Sequence, residues 1–286
     1  MNNVKYLFQF LIITFIFFIF KILGVNISSF LGGKLFEIIG PLFRSKKIIH
    51  ENIKKVFPKI DKKKIKLIES SMWNNYGRVF AEYMFMKNFR NGKLSKNIII
   101  DGEEILKKIK DDNKKVIFIS GHFSNFELMA MQLDKLGLKI AAIYRPLNNI
   151  FLNVVMEKIR KKYICKNQIK KGLGGLKELI KLNKLDFSTA LMIDQRVSQG
   201  IRINFFEEKA FTTTIPAQLS KKFAIPVVPI FIERYEGIKF KIKVFEPIHF
   251  SNQETVENIT ANLNKILENM IRNYPNNWIW THNRWK

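Results

Sequence analysis

A long apolar run near the start of the chain limits where this protein can fold. Residues 6–20 read YLFQFLIITFIFFIF with only Gln9 polar, and ILGVNI follows after Lys21. Roughly 15 helical residues measure only ~22 Å, whereas the hydrocarbon core of a bilayer is ~30 Å thick. The run therefore spans a membrane only if the helix continues to Ile27 and Lys21 snorkels, and shallow insertion stays open as the alternative.

The residues around this run predict an uncleaved anchor. A cleaved signal peptide with Lys5 at its charged start is the alternative, but no Ala-x-Ala-like site follows the run. More positive charges follow the run than precede it, which predicts that the downstream side faces the cytoplasm. These charges are Lys34, Arg44, Lys46 and Lys47. We expect an N-terminal membrane anchor over residues 1–27 and one catalytic domain over residues 28–286.

Strand-like and helical runs alternate along the second domain. A helical lead-in over residues 49–86 comes first, and the strand-like runs that follow are NIIID, KVIFIS, KIAAIY, STALMID, IPVVPIFIERY and KFKIKVFEPI. Helical patterns lie between most of them, the last two runs are expected to pair antiparallel, and a long amphipathic helix follows the last. The alternation predicts an α/β fold with a mostly parallel central sheet flanked by helices, preceded by the N-terminal membrane helix.

Composition excludes several classes of site. The chain has one cysteine, Cys165, and four histidines without a Cys-x-x-Cys or His-x-x-x-His spacing, so we expect no disulfide, no metal and no cofactor. A net charge of +25 predicts an anionic partner, either nucleic acid, phospholipid headgroups or a phosphorylated substrate. Because the chain lacks a helix-turn-helix, RNP or zinc signature, we expect an anionic membrane and no nucleic acid.

Two hexapeptides, HFSNFE at residues 122–127 and HFSNQE at residues 249–254, each place a carboxylate five positions after a histidine. Each also matches the Ser-x-x-Glu capping box of a helix start. The first copy follows the apolar run KVIFIS, so His122 is expected at the carboxyl end of a buried strand, where open α/β sheets bind ligands. The second copy follows Pro247, which suits an edge strand, so His249 is expected at the surface.

The first copy can act as a general base. Glu127 would accept a hydrogen bond from one ring nitrogen of His122 and fix its tautomer, and the other nitrogen would take a proton from an attacking hydroxyl. No Gly-x-Ser-x-Gly elbow supplies a nucleophile, and Cys165 has no motif around it. Direct attack of a substrate hydroxyl on an activated acyl group is the expected reaction. The alternative is that Glu127 only caps a helix and His122 is incidental.

Five motifs in this order resemble a known family. They are HFSNFE after a hydrophobic strand, YRPLNN (144–149), MIDQRVSQGI (192–201), IPVVP (225–229) and the ending WIWTHNRWK. Together they look like the lipid A biosynthesis late acyltransferases, the Kdo-dependent lauroyl and myristoyl transferases of the wider glycerolipid acyltransferase superfamily. The resemblance implies a bacterial inner-membrane enzyme whose catalytic domain faces the cytoplasm. It would move an acyl chain from acyl carrier protein, or coenzyme A, to a hydroxyl of a 3-hydroxyacyl chain on a phosphorylated, Kdo-bearing lipid A precursor.

The resemblance also implies roles for individual residues. His122 matches the family's general base and Glu127 its orienting partner. Arg145 matches a binder of phosphate or thioester-side groups, with a surface arginine as the alternative. A second set of residues would bind substrate: Asp194, Gln195, Arg196 and Asn125. Asp194 could instead cap a loop, and Asn125 is included only because of its location.

Four points stay open within the resemblance. IPVVP reads as a buried strand as readily as a substrate block. Trp278, Trp280 and Trp285 suit either an interfacial aromatic belt or a C-terminal clamp on the domain. The family commonly has glycine where this chain has Glu207, after NFF. The acceptor could also be another lipid, such as a glycolipid or a lysophospholipid.

Overall fold

The structure, a computed structural model, describes residues 2–286, over which it has ten α-helices and nine β-strands. The α-helices are α1 Asn2–Phe43, α2 Lys46–Val56, α3 Lys62–Glu82, α4 Met86–Asn91, α5 Glu103–Asp111, α6 Glu127–Lys135, α7 Ile150–Ile159, α8 Leu173–Lys184, α9 Ile215–Phe223 and α10 Val256–Asn273. The strands are β1 Ile98–Asp101, β2 Ile117–Ser120, β3 Ile140–Tyr144, β4 Asn167–Lys170, β5 Ser188–Met192, β6 Ile201–Phe205, β7 Glu208–Thr212, β8 Val227–Glu236 and β9 Lys239–Val244. Short 3₁₀ turns span Tyr83–Phe85, Lys93–Asn97 and Pro275–Asn277, and a π-turn spans Arg160–Ile164.

Seven strands form the central sheet in the order β1-β9-β8-β2-β5-β3-β4. Every neighbouring pair is parallel except β8 and β9, which pair antiparallel as their sequences predict. β2 lies at the centre, and all four of its residues are buried because both faces of the sheet are covered. The structure thus confirms the mostly parallel α/β sheet, and the last three residues of IPVVP (225–229) open β8, whose first six residues are buried.

Helix α1 carries the apolar run and extends well beyond it. It is kinked at Gly24, whose φ of 76° lies in the left-handed region that glycine adopts readily. The mean hydropathy of its most apolar stretch is 2.5, and only 6% of that stretch is buried. Helical residues 2–23 alone measure about 33 Å at 1.5 Å per residue, which is long enough for a bilayer core. By length and composition α1 is thus a candidate membrane helix.

Both halves of α1 contact the rest of the protein. After the kink, α1 packs on α3 at two glycines, where a Cβ on Gly77 would lie 1.9 Å from the Gly32 carbonyl oxygen. Before the kink, Asn149 Nδ2 donates to the Tyr6 carbonyl at 2.9 Å, and the rings of Phe10 and Phe151 lie 5.9 Å apart. The helix therefore packs along the domain that is expected to begin at residue 28.

The sequence patterns missed three strands. β4 is a polar edge strand that pairs with β3, and β6 and β7 form a separate two-stranded hairpin. Phe206 and Glu207 make its two-residue turn with φ values of 51° and 65°. Positive φ at both central positions is typical of a type I′ hairpin turn, which favours asparagine and glycine. This geometry explains why glycine suits the position of Glu207.

Candidate active site

The site forms where two neighbouring parallel strands end. β2 runs into Gly121 and His122, while β5 runs into Ile193 and Asp194. The Ile193 amide donates to the Ser120 carbonyl at 2.9 Å, so the two chains stay together past the strand ends. Close packing favours glycine at position 121, because a Cβ there would lie 2.8 Å from the Phe123 ring and 3.0 Å from the Leu267 side chain. Parallel pairing thus brings the two side chains to the edge of the sheet where such folds bind ligands.

Asp194 orients the His122 ring. Asp194 Oδ1 lies 2.8 Å from His122 Nδ1, and Asp194 Oδ2 accepts the His122 backbone amide, also at 2.8 Å. Trp278 Nε1 donates to the same Oδ2 at 2.9 Å. The Asp194 side chain is 2% exposed, whereas that of His122 is 20% exposed. A carboxylate at Nδ1 holds the proton there and leaves Nε2 as the basic nitrogen.

The charges of the pair reinforce each other. Burial lowers the pKa of His122, but the charge and hydrogen bond of Asp194 outweigh burial and raise this pKa above its usual value. Burial opposes ionisation of Asp194, yet the His122 charge and the hydrogen bonds from His122 and Trp278 lower the pKa of Asp194 to about 2. Asp194 is therefore ionised at neutral pH and stabilises a proton on the imidazole.

Glu127 does not form the expected bond to His122. Among the described residues, its hydrogen-bond partner is Arg160, whose Nε donates to Glu127 Oε1 at 2.9 Å and whose Nη2 donates to the same oxygen. The neighbouring charge of Glu127 is one cause of the raised Arg160 pKa. The prediction that Glu127 orients His122 is wrong in this geometry, because Asp194 takes that position. Glu127 instead anchors α6 to the π-turn that begins at Arg160.

Asn125 lies inside the loop rather than on the site surface. It is 0% exposed, and its Nδ2 donates to Glu82 Oε2 at 2.9 Å. The fully buried Glu82 also accepts the Ser29 hydroxyl at 2.7 Å and binds both terminal nitrogens of Arg234. Asn125 is therefore buried and bonded to Glu82, and its contact with an acyl carbonyl stays a prediction. The Glu82 carboxylate instead connects α1, the loop after β2, and β8.

The Ser124 hydroxyl does not cap α6. It accepts the backbone amide of Arg234 at 3.1 Å, and Ser124 has a φ of 41°. α6 begins at Glu127 without a side-chain cap, so the capping box expected in the first hexapeptide does not form. In the second copy, Ser251 and Glu254 bond each other in a separate turn, and α10 begins later with Thr255 as its cap.

The two hexapeptides therefore have different environments. His249 is exposed, as its sequence context predicts, and it follows the isolated bridge between Ile248 and Val227. His122 instead lies at the end of the central strand with its ring bonded to a buried carboxylate. Only the first copy has the surroundings of a general base.

The C-terminal tryptophans form a clamp and not an aromatic belt. Trp278 is 1% exposed and Trp280 is 0% exposed, with ring centroids 4.7 Å apart. Trp285 is partly buried and donates to the Phe205 carbonyl at 2.9 Å. Phe123 also forms an isolated bridge with Trp278. The clamp thus supports both the carboxylate of Asp194 and the loop that carries His122.

The remaining predicted site residues differ in accessibility. Arg145 is exposed and Gln195 is half-buried beside Asp194. The Arg196 amide donates to His282 Nε2 at 2.9 Å, and its guanidinium donates to the Lys286 carbonyl. Burial lowers the pKa of His282 to about 4, so this ring is neutral and accepts that bond. Arg196 holds the C-terminal segment, and Asp194 is too buried to bind substrate as expected.

Several site residues were not identified from the sequence: Trp278 as a partner of Asp194, and Glu82, Arg160, Arg234 and His282. Glu82, Arg160 and Arg234 occur in ordinary helix or strand contexts without a motif, so no local signal marks them. The Asp194 partnership could have been inferred, because STALMID and KVIFIS both end in candidate residues and adjacent parallel strands share their carboxyl edge.

Comparison with known proteins shows the family of this chain. The family model described as bacterial lipid A biosynthesis acyltransferase matches residues 1–286. The chain is 24% identical over 268 residues to the lipid A biosynthesis palmitoleoyltransferase of Escherichia coli, covering 91% of this chain and 85% of that protein. It is 22% identical to the lipid A biosynthesis lauroyltransferase of the same organism, covering 85% of this chain and 79% of that protein.

A third relative is matched over a shorter region. Lipid A biosynthesis acyltransferase 2 of Shigella flexneri is 23% identical over 195 residues, so the match spans 66% of this chain and 60% of that protein. Among solved structures, the 1-acyl-sn-glycerophosphate acyltransferase of Thermotoga maritima aligns with a TM-score of 0.42 and 13% identity, covering 89% of this chain and 96% of that one. Because the family model matches residues 1–286, which include α1, both strand ends and the clamp, this chain belongs to the bacterial lipid A biosynthesis acyltransferases.

Proposed function

We propose that this enzyme transfers a fatty acyl chain from a thioester donor to a hydroxyl of a 3-hydroxyacyl chain on a phosphorylated lipid A precursor. The observation that carries the proposal is the His122–Asp194 pair, at the ends of adjacent central strands in a member of this acyltransferase family. Nε2 of His122 has no hydrogen-bond partner among the described residues, which leaves it available to a substrate hydroxyl.

The reaction proceeds by direct transfer. His122 Nε2 takes the proton of the acceptor hydroxyl as its oxygen attacks the thioester carbonyl carbon, and Asp194 stabilises the imidazolium. When the carbon–sulfur bond breaks, the departing thiolate takes that proton, giving an ester and a free thiol. Cys165 is not suited to be a nucleophile because it is buried and burial raises its pKa to about 12.

The donor is proposed to be acyl carrier protein, or alternatively acyl-coenzyme A, and the acceptor a Kdo-bearing precursor. The net charge of +25 suits an acidic carrier and a phosphorylated lipid. Exposed Arg145 is proposed to bind phosphate or thioester-side groups, and Gln195 to contact substrate beside the pair. The resemblance in five motifs supports these choices over other acceptors.

The protein associates with membranes through α1, and we propose the bacterial inner membrane with the catalytic domain in the cytoplasm. The positive charges after the apolar run support this orientation. Residues 1–27 would act as the anchor and residues 28–286 as the catalytic domain, although α1 contacts both α3 and α7.

The test uses detergent-purified full-length protein, acyl carrier protein and a Kdo-bearing lipid A precursor, with mass-spectrometric detection of the product. Loss of a positioned general base costs roughly 10²- to 10⁴-fold in rate, which we expect for His122→Ala. His249→Ala is the matched control, because this exposed histidine has the same neighbours in sequence, and it should leave the rate nearly unchanged.

Equal losses in the two histidine variants would contradict the assignment of the base. A folded wild-type protein that leaves donor and acceptor intact would contradict the proposed acceptor. A panel containing a glycolipid and a lysophospholipid would then identify the lipid that is acylated.

A further inference from the structure

A polar cleft of about 400 Å³ lies beside the His122 loop, between the second half of α1, helix α3 and the end of β8. Its lining contains three cationic side chains, Lys34, Arg78 and Arg234, and one carboxylate, that of Glu37, together with several asparagine and serine side chains. Such a lining differs from an acyl-chain tunnel, which needs apolar walls. Hydroxyl and amide groups around a guanidinium instead suit a hydroxylated anion such as a sugar phosphate.

One of the three cations lacks an anionic partner. Lys34 Nζ lies 3.0 Å from Glu37 Oε2, and Arg234 is paired with buried Glu82. Among the described residues, Arg78 bonds only neutral groups: its Nε donates to Asn74 Oδ1 at 2.7 Å and its Nη1 to Ser29 Oγ at 3.2 Å.

The setting of Arg78 favours binding of an anion. It is half-buried, and burial and the neighbouring charge of Arg234 lower its pKa, which the charges of Glu82 and Glu37 offset only in part. Because no carboxylate in the described part of the chain bonds it directly, this partly desolvated guanidinium gains when an anion replaces its lost hydration. The two neutral bonds hold its planar group in place, which reduces the entropy lost on binding.

Two residues that line the cleft are hydrogen-bonded to the His122 loop. One of them, Asn75, donates from Nδ2 to the Ser124 carbonyl at 3.2 Å. The carbonyl of Asn277, another lining residue, accepts the Ser124 amide at 2.9 Å. Ser124 is two residues from His122, so a group bound in the cleft is fixed relative to the base. Lys34 belongs to α1, the candidate membrane helix, which is where a lipid headgroup would enter.

From this arrangement we propose that the cleft binds the phosphorylated sugar headgroup of the acceptor lipid, with Arg78 as the phosphate-binding residue. The inference rests on the proposed function and adds the position of the headgroup. The acceptor's acyl chains would remain toward α1 while one of their hydroxyls reaches His122. Arg78 is thus a binding residue, whose loss affects the affinity for acceptor more than the chemical step.

The first experiment measures binding without turnover. Wild-type protein in detergent is titrated with glucosamine 1-phosphate, glucosamine and inorganic phosphate by calorimetry. We expect the sugar phosphate to bind most tightly. Arg78→Gln should weaken it roughly 10- to 100-fold, the scale of a charge-assisted hydrogen-bond pair. Ser70→Tyr fills the cleft from an exposed helical position and should abolish binding, which gives a second variant in case Arg78→Gln fails to fold.

Lys108→Gln is the matched control, since exposed Lys108 lines a different groove and loses the same charge. The second experiment measures KM and kcat for phosphorylated and dephosphorylated lipid A precursors. Arg78→Gln should raise KM roughly 10- to 100-fold for the phosphorylated acceptor only, with kcat within about threefold of wild type.

Three results would overturn the inference: no binding of the sugar phosphate to wild type, binding unaffected by both cleft variants, or an equal effect of Lys108→Gln. Inorganic phosphate that binds as tightly as the sugar phosphate, with unchanged KM in the variants, would overturn it in favour of a free-anion site. Arg78-dependent binding without acyl transfer would support the cleft and overturn only the proposed acceptor hydroxyl.

Discussion

Asp194→Asn tests whether the buried carboxylate controls the tautomer of His122. In wild type, Oδ2 accepts two N–H groups, from the His122 backbone and from Trp278, and Oδ1 faces His122 Nδ1. In the asparagine variant, the amide oxygen must take the Oδ2 position to accept the same two N–H groups. The NH₂ group then occupies the Oδ1 position. That NH₂ then donates to Nδ1, which moves the imidazole proton to Nε2. The substitution therefore preserves the packing but places a proton on Nε2, the nitrogen that we propose as the base.

The expected loss is that of the general base, roughly 10²- to 10⁴-fold in kcat. The pH profile supplies a second readout. His122 must be neutral to act, and its raised pKa places the acid limb of kcat/KM above pH ~6.5 in wild type. In Asp194→Asn the charge that raises the His122 pKa is gone, and burial, the largest remaining influence, lowers it. The acid limb of kcat/KM therefore moves to lower pH.

The assay is acyl transfer from pH 5 to 9, combined with thermal unfolding to confirm that the variant is folded. Glu127→Gln is the matched control, because Glu127 is the other carboxylate near His122 but bonds Arg160. Its acid limb should move less than that of Asp194→Asn. The reasoning is refuted if Asp194→Asn keeps kcat within threefold of wild type with the same pH profile, while Glu127→Gln shifts it.

Two further substitutions test the supports of the site. Glu207→Gly should stabilise the protein by about 1 kcal/mol and raise Tm by roughly 2–4 °C, because glycine adopts the φ of 65° without strain. Glu208→Gly, which lies outside the positive-φ turn, is the control. A lower Tm for Glu207→Gly than for wild type would contradict this explanation. Trp278→Phe removes a hydrogen bond to an ionised carboxylate and should reduce the free energy of unfolding by about 1.5–3 kcal/mol in urea titrations. Since the pKa of Asp194 then rises from about 2, acid unfolding should begin at higher pH than in wild type, and unchanged acid unfolding would speak against the bond.

The periodic parts of the fold could be predicted from the sequence. KVIFIS is a continuous apolar run because β2 is covered on both faces, and the antiparallel β8–β9 pair and α10 likewise follow from their patterns. β4 was missed because it is a polar edge strand, and the β6–β7 hairpin was missed because Phe206 and Glu207 replace the usual turn residues.

The site was predictable only in part. His122 was found because a histidine after a buried strand and a glycine carries a local signal. Its partner was assigned by sequence proximity to Glu127, whereas the contact with Asp194 depends on which strands are neighbours in the sheet. The Ser124 hydroxyl was expected to cap α6, but it binds a backbone amide of β8 that is distant in sequence.

The clamp has a consequence for how the enzyme is made. During synthesis α1 precedes the rest of the chain and is apolar enough to engage a membrane as soon as it emerges. His122 and Asp194 follow, but the indole of Trp278 and the ring of His282 come much later. A chain that still lacks its C-terminal segment therefore has neither the indole that bonds Asp194 nor the ring that accepts the Arg196 amide. We expect such incomplete chains to be inactive even when α1 has already emerged.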